Sequence, residues 1–154
     1  NSASGLHGEV KFRPDEYPWL EWTWRVDKLQ KTADIRTKAG EDMAAAIYLF
    51  FGRPSWFRPE VPTLAYVWTN DKLPKEAVVL SPYHPGTVRE IVIECGTENF
   101  GQWVSVRRNI VEDYLTAFGK EPLGPIEMIA LWSDNDQTGE PVEAYYGAVH
   151  ALKE

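Results

Sequence analysis

The sequence predicts an all-β fold, an antiparallel β-sandwich interrupted by one short α-helix, and three observations carry that expectation. Short apolar runs alternate with turn signals along the whole chain, the spacing of strands that reverse direction in a sandwich or barrel. Aromatic residues make up 13% of the 154 residues, with seven Trp, seven Tyr and six Phe, and such side chains pack well on pleated surfaces. The stretch LEWTWRV alternates strictly, placing Leu20, Trp22, Trp24 and Val26 on one face and Glu21, Thr23 and Arg25 on the other.

Strands are expected at Gly8–Arg13, Trp19–Val26, Ala44–Phe51, Leu64–Thr69, Val88–Cys95, Trp103–Arg107, Glu127–Ser133 and Ala144–Leu152. Between them stand the breakers RPDEYP, KAGED, GRPSWFRPEVP, NDKLPKE, SPYHPG, CGTENFG and GKEPLGP. The helix is NIVEDYLTAFG. Asn109 caps its first turn, and Glu112 is placed to reach back and complete a capping box. Ile110, Tyr114 and Phe118 recur every fourth residue as one apolar stripe, and Gly119 supplies a left-handed stop. No repeat or composition shift divides the chain, whose length fits a single β-sandwich domain over residues 1–154.

Several function classes are disfavoured. A formal net charge of −7 and a pI near 5.0 argue against an electrostatic nucleic-acid platform. The longest apolar run, MAAAIYLFF from Met43 to Phe51, has the length of a strand, not the roughly 18 residues of a membrane-spanning helix. Cys95 is the only cysteine, so an intrachain disulfide is excluded; at the end of an apolar strand it reads as a small hydrophobe. His7, His84 and His150 lack zinc-ligand spacing.

The polar face of LEWTWRV carries Glu21 and Arg25, either a solvated charge pair or one wall of a groove. LAYVWT places Tyr66 and Trp68 on one face, WVSVRRN places Trp103, Ser105 and Arg107 together, and KAGED brings Lys38, Glu41 and Asp42 to a strand entrance. If these faces coincide they form a groove in which aromatic rings stack on sugars and charged groups orient hydroxyl or acidic substituents. Trp22 and Trp24 read as core.

The stretch SDNDQTGEPVEAYYG sets Asp134, Asp136 and Thr138 at alternate positions before Gly139. Alternate oxygen ligands followed by glycine suit a calcium loop. Thr138 stands in the third ligand place, however, and Tyr145 stands where the closing glutamate belongs. The bland alternative is a connection rich in turn formers.

SASGL, WTWRV, KAGEDMAAAIYLFF, LAYVWT, RRNIVEDYLTAFG and SDNDQTGEPVEAYYG, in this order along nearly the whole chain, resemble a bacterial domain family of unknown function, family 3047. The resemblance implies a jelly roll of the carbohydrate-binding kind, an analogy of fold, in a periplasmic or secreted protein. It implies that members continue upstream of SASGL by one or two strands. Arg25, Lys38, Asp42, Arg107, Asn109 and Asp113 match its polar pattern, as do Asp134, Asp136, Thr138 and Gly139. The chain departs from the pattern at Glu41–Asp42, where paired aspartates are expected, and at Ala148, where an aspartate is expected.

The expected function is a non-catalytic module binding a polysaccharide or oligosaccharide. Arg25, Lys38 and Arg107 would meet anionic groups, while Tyr66, Trp68 and Trp103 serve as stacking platforms, with Glu21 and Asp42 beside them. Asp134, Asp136 and Thr138 are the candidate calcium ligands. The alternatives are a polysaccharide-cleaving enzyme and a structural envelope protein with a protein partner. A lyase would take Tyr145, Tyr146 or His84 as base and Arg107 or Lys38 as cation.

Overall fold

Alternation decides the two layers of the sandwich. The computed structural model, which describes residues 2–154, contains β1 (Ala3–Phe12), β2 (Trp19–Lys28), β3 (Ala45–Phe50), β4 (Thr63–Thr69), β5 (Val78–Leu80), β6 (Val88–Cys95) and β7 (Val104–Asn109). Helix α1 (Ile110–Phe118), β8 (Ile126–Asp134) and β9 (Glu143–Leu152) follow. Six strands form one sheet in the order β1-β8-β3-β4-β6-β5, and three form the other in the order β7-β2-β9.

The inward face of β2 is the one the alternation predicts. Leu20, Trp22, Trp24 and Val26 are all buried and meet Leu64, Tyr66 and Trp68 of β4 across the sandwich. Trp22 stacks on Tyr66 at 5.1 Å between ring centroids and meets Trp24 edge-on at 5.4 Å, while Trp24 lies 5.9 Å from Trp68. Offset and edge-on contacts of this kind stabilise by about 0.5–1.5 kcal/mol each beyond the area they bury. The indole N–H groups of Trp22 and Trp24 lie in this layer without acceptors, a cost of about 1–3 kcal/mol each that the burial must exceed.

The expected helix is present within one residue. Asn109 accepts from the N–H groups of Val111 and Glu112, both at 3.1 Å, and Gly119 takes φ 73° at the stop. Ile110 and Tyr114 enter the core, and Phe118 stacks on Tyr114 at 4.4 Å. One buried polar knot ties the helix down. Arg108 binds Glu76 and Asp113 through two bonds each, at 2.6 to 2.9 Å, and Tyr66 Oη donates to Asp113 at 2.8 Å.

The structure departs from the sequence reading in three places. β1 begins at Ala3 rather than Gly8, because the small polar run pairs residue by residue with β8 from Ala3↔Asp134 onward. A short ninth strand, β5, occupies the sheet edge; three residues are too few to show a period. β4 and β6 run parallel, so the chain from Asn70 to Thr87 is a crossover, not a hairpin.

Tyr66 and Trp68, expected as stacking platforms, are both 0% exposed. Their correction is steric, since a ring sealed between two sheets cannot meet a ligand. Trp68→Ala should therefore cost about 3–5 kcal/mol of stability in urea unfolding. A variant of unchanged stability would remove Trp68 from the core.

Candidate functional site

The other face of the six-stranded sheet, directed away from the sandwich core, holds a broad cleft. One row across it reads His7, Ala130, Tyr48, Ala65, Glu90 and Val79, from β1 to β5. The adjoining row carries Gly5, Trp132, Ala46 and Val67. Ala46, Ala65 and Val67 belong to a second buried apolar cluster with Ile35 and Met43, and the open part of the face is lined by Tyr48, Phe50, Ala130 and Trp132, with Tyr83 beside them. The resulting cleft has a volume of about 720 Å³. Gly5 is required where it stands, because a Cβ there would fall 2.2 Å from the Trp132 ring.

Four acidic side chains line this space: Glu41, Glu90, Asp134 and Asp136. Glu90 is 0% exposed, and neither of its carboxyl oxygens has a hydrogen-bond partner. Burial, reinforced by the neighbouring Glu41, pushes its pKa well above the usual carboxylate range. Glu41 is also raised, chiefly by burial, although the Ser81 hydroxyl donates to it at 2.6 Å and pulls the other way. Burial pushes Asp134 up to about 6, against the opposing bonds from the Asp136 N–H and the Trp132 indole. His84 also borders the cleft, its Nδ1 2.8 Å from Glu60.

The loop after β8 closes one end. Asp42, wholly buried, accepts from the N–H groups of Gln137 at 3.2 Å and Thr138 at 2.7 Å. It thereby fixes the loop against the start of β3. Carboxylate oxygens of Asp42, Asp134 and Asp136 lie within 4.8 Å of one another. The converging acidic set thus contains Asp42, while the Thr138 hydroxyl accepts from the Glu140 N–H. Asp42 and Asp134 already accept backbone N–H groups of the loop, and Asp136 accepts from the Gln137 side-chain amide at 3.0 Å, as an ordinary polar turn requires.

The remaining expected site residues do not share the cleft. Glu21, Arg25 and Arg107 lie on the outer face of the three-stranded sheet, across the sandwich core from it. Arg107 binds Glu21 at 2.6 Å and covers Trp19, while Arg25 grips Asp27 through two 2.8 Å bonds. Trp103, 53% exposed, continues the outward set of Ser105 and Arg107 ahead of β7. Lys38 packs against the Tyr83 ring at 5.5 Å, at the cleft side of the molecule. The groove that would unite Arg25, Lys38, Asp42 and Arg107 is therefore corrected, because alternation sends β2 and β7 polar groups to the opposite surface.

The expected lyase constellation is likewise divided. Tyr146 Oη donates to the Trp132 carbonyl at 2.6 Å and accepts from the Ala46 N–H at 3.0 Å, bracing β3 against β8. Tyr145 Oη donates to Glu143 on the far sheet, and His84 stays at the cleft.

Sequence reading missed Glu90, Trp132 and the pair Trp56–Phe57. Glu90 alternates with Val88 and Val92, the one signal that a carboxyl group sits on an otherwise apolar face. Trp56 and Phe57 stack at 4.1 Å and are 84% and 80% exposed. Their loop reaches the cleft through Glu60 and His84.

The raised carboxyl groups fix the sign of one pH effect. Their native forms hold protons that the unfolded chain releases near pH 4, so their contribution to stability falls as pH rises. Glu90→Gln should therefore gain stability over the parent progressively from about pH 5 to about pH 8 in thermal melts. A pH-independent difference would show that folding does not raise the Glu90 pKa.

No curated protein matches the chain. The model of a family described as a protein of unknown function, DUF3047, matches residues 1–150. With that match running from the first strand through nearly all of the last, the chain belongs to the DUF3047 family.

Proposed function

We propose that the chain binds a carbohydrate in the cleft on the outer face of its six-stranded sheet, without cleaving it. The observation behind this reading is a cleft of about 720 Å³ lined by the aromatic side chains of Tyr48, Phe50, Tyr83 and Trp132, with polar groups reaching in from one end. Sugar rings present apolar faces that stack on Trp and Tyr and hydroxyl edges that need polar partners. Trp132 and Tyr83 take the stacking role first expected of Tyr66 and Trp68. Trp56 and Phe57 extend the platform beyond the cleft, so a longer chain gains contacts a short one cannot reach. A periplasmic or secreted setting belongs to this proposal.

A second reading has one observation in its favour, the Glu41–Glu90 pair. In a glycosidase one neutral carboxyl group protonates the leaving glycosidic oxygen while a carboxylate activates water, which adds at the anomeric carbon as the C–O bond breaks. Glu90 lies wholly below the surface, so it does not meet a glycosidic bond directly, and binding is the stronger reading.

Two results follow. Trp56→Ala should weaken retention of long oligosaccharides about tenfold, the scale of one lost stacking contact, while leaving disaccharide affinity and the melting temperature unchanged. Equal retention of all lengths would remove the loop from the site. Incubation with a polysaccharide panel followed by size-exclusion should show co-elution with intact polymer. Shortened polymer that disappears with Glu41→Gln would favour the hydrolytic reading instead.

A further inference from the structure

The charge of the cleft narrows its ligand, provided the carbohydrate reading holds. Glu41, Glu90, Asp134 and Asp136 line it, and among the described residues no lysine or arginine does. Lys38 is held against the Tyr83 ring and does not line the cleft. His84 already faces Glu60. An acidic sugar placed here meets only like charge, which costs affinity and discriminates against it. This reverses the expectation that arginine and lysine would greet anionic groups.

A second observation points to the missing partner. Glu90 is buried with both carboxyl oxygens unmatched, and it borders the same space. An unmatched buried carboxyl group beside a second one, Glu41, is costly, and a cation held above the pair offsets that crowding of negative charge. An ammonium group carries three donors and one positive charge. It bonds strongly to carboxylates and is attracted to the faces of Tyr and Trp, the two side-chain classes that surround this space.

We infer that the cleft selects an amine-bearing sugar, with the ammonium group seated at Glu41 and Asp136, above the buried Glu90, and the ring against Trp132 and Tyr83. Neutral sugars satisfy the aromatic walls alone, and uronic acids oppose the charge.

Calorimetric titration with three oligosaccharides of equal length tests this: a β-1,4-linked glucosamine tetramer, its fully N-acetylated counterpart and tetragalacturonate. The glucosamine tetramer should bind about tenfold or more tightly than the acetylated one, a difference that shrinks at high salt. Glu41→Gln and Asp136→Asn, both in loops, should each bring the ratio of glucosamine to acetylated affinity down towards one, and a ratio unchanged in both would overturn the amine seat. Equal binding of the glucosamine and acetylated tetramers would overturn the amine preference and keep the carbohydrate reading. Tighter binding of tetragalacturonate would overturn it by sign. Failure of all three sugars to bind would overturn both.

Discussion

The aromatic layer formed by Trp22, Trp24, Tyr66 and Trp68 is the constraint on which the rest of the structure depends. It fills the space between the sheets and fixes which face of β4 points inward. Once Tyr66 and Trp68 are inside, Ala65 and Val67 must face the other way, because successive strand residues alternate. These residues join a second buried apolar cluster with Ile35 and Met43, and Thr63 on the same face borders the cleft. The two apolar clusters are thus on two faces of one strand, and a one-residue slip in β4 would exchange them.

The flanking strands follow the same rule with different side chains. β8 offers Ala130 and Trp132 to the cleft and β3 offers Tyr48, while Ala46 is buried in the second apolar cluster. Tyr146 reaches across from the smaller sheet and joins these two strands through its hydroxyl. Arg108 secures the opposite side by binding Glu76 and Asp113. Removing one partner of the mostly buried Arg108–Asp113 pair leaves an unmatched charge and is far more damaging than replacing the whole group. Both connections hold the sheet that carries the cleft, and neither lines it.

The cleft carboxyl groups work against this stability. Glu41, Glu90 and Asp134 all have raised pKa values for the same first cause, burial. Groups arranged at a cost to the fold are common at sites that act on a ligand. The surface pairs of the other sheet differ in kind. Arg25 with Asp27 and Arg107 with Glu21 satisfy one another near solvent, where such pairs contribute little. Asp27 is held below the usual carboxylate range by Arg25, as a simple ion pair requires.

The sandwich class, most strands, the helix with both of its stops, and the burial of Trp22 and Trp24 are legible in the sequence. Those features depend on period and capping, which are written in neighbouring residues. The sequence also singled out Asp42, Asp134 and Asp136, because the turn that gathers two of them is local. Only the tertiary structure decided which faces meet. Tyr66 and Trp68 alternate as convincingly for a binding face as for a core, and the choice rests on what packs above them. Glu90 is an isolated carboxyl group in an apolar strand until Glu41 arrives beside it from a distant turn. Arg25 and Arg107 share a composition with a binding groove but stand on the opposite surface from Lys38 and Asp42. Alternation states that a strand has two faces, and only the packing of one sheet on the other says which of them is buried.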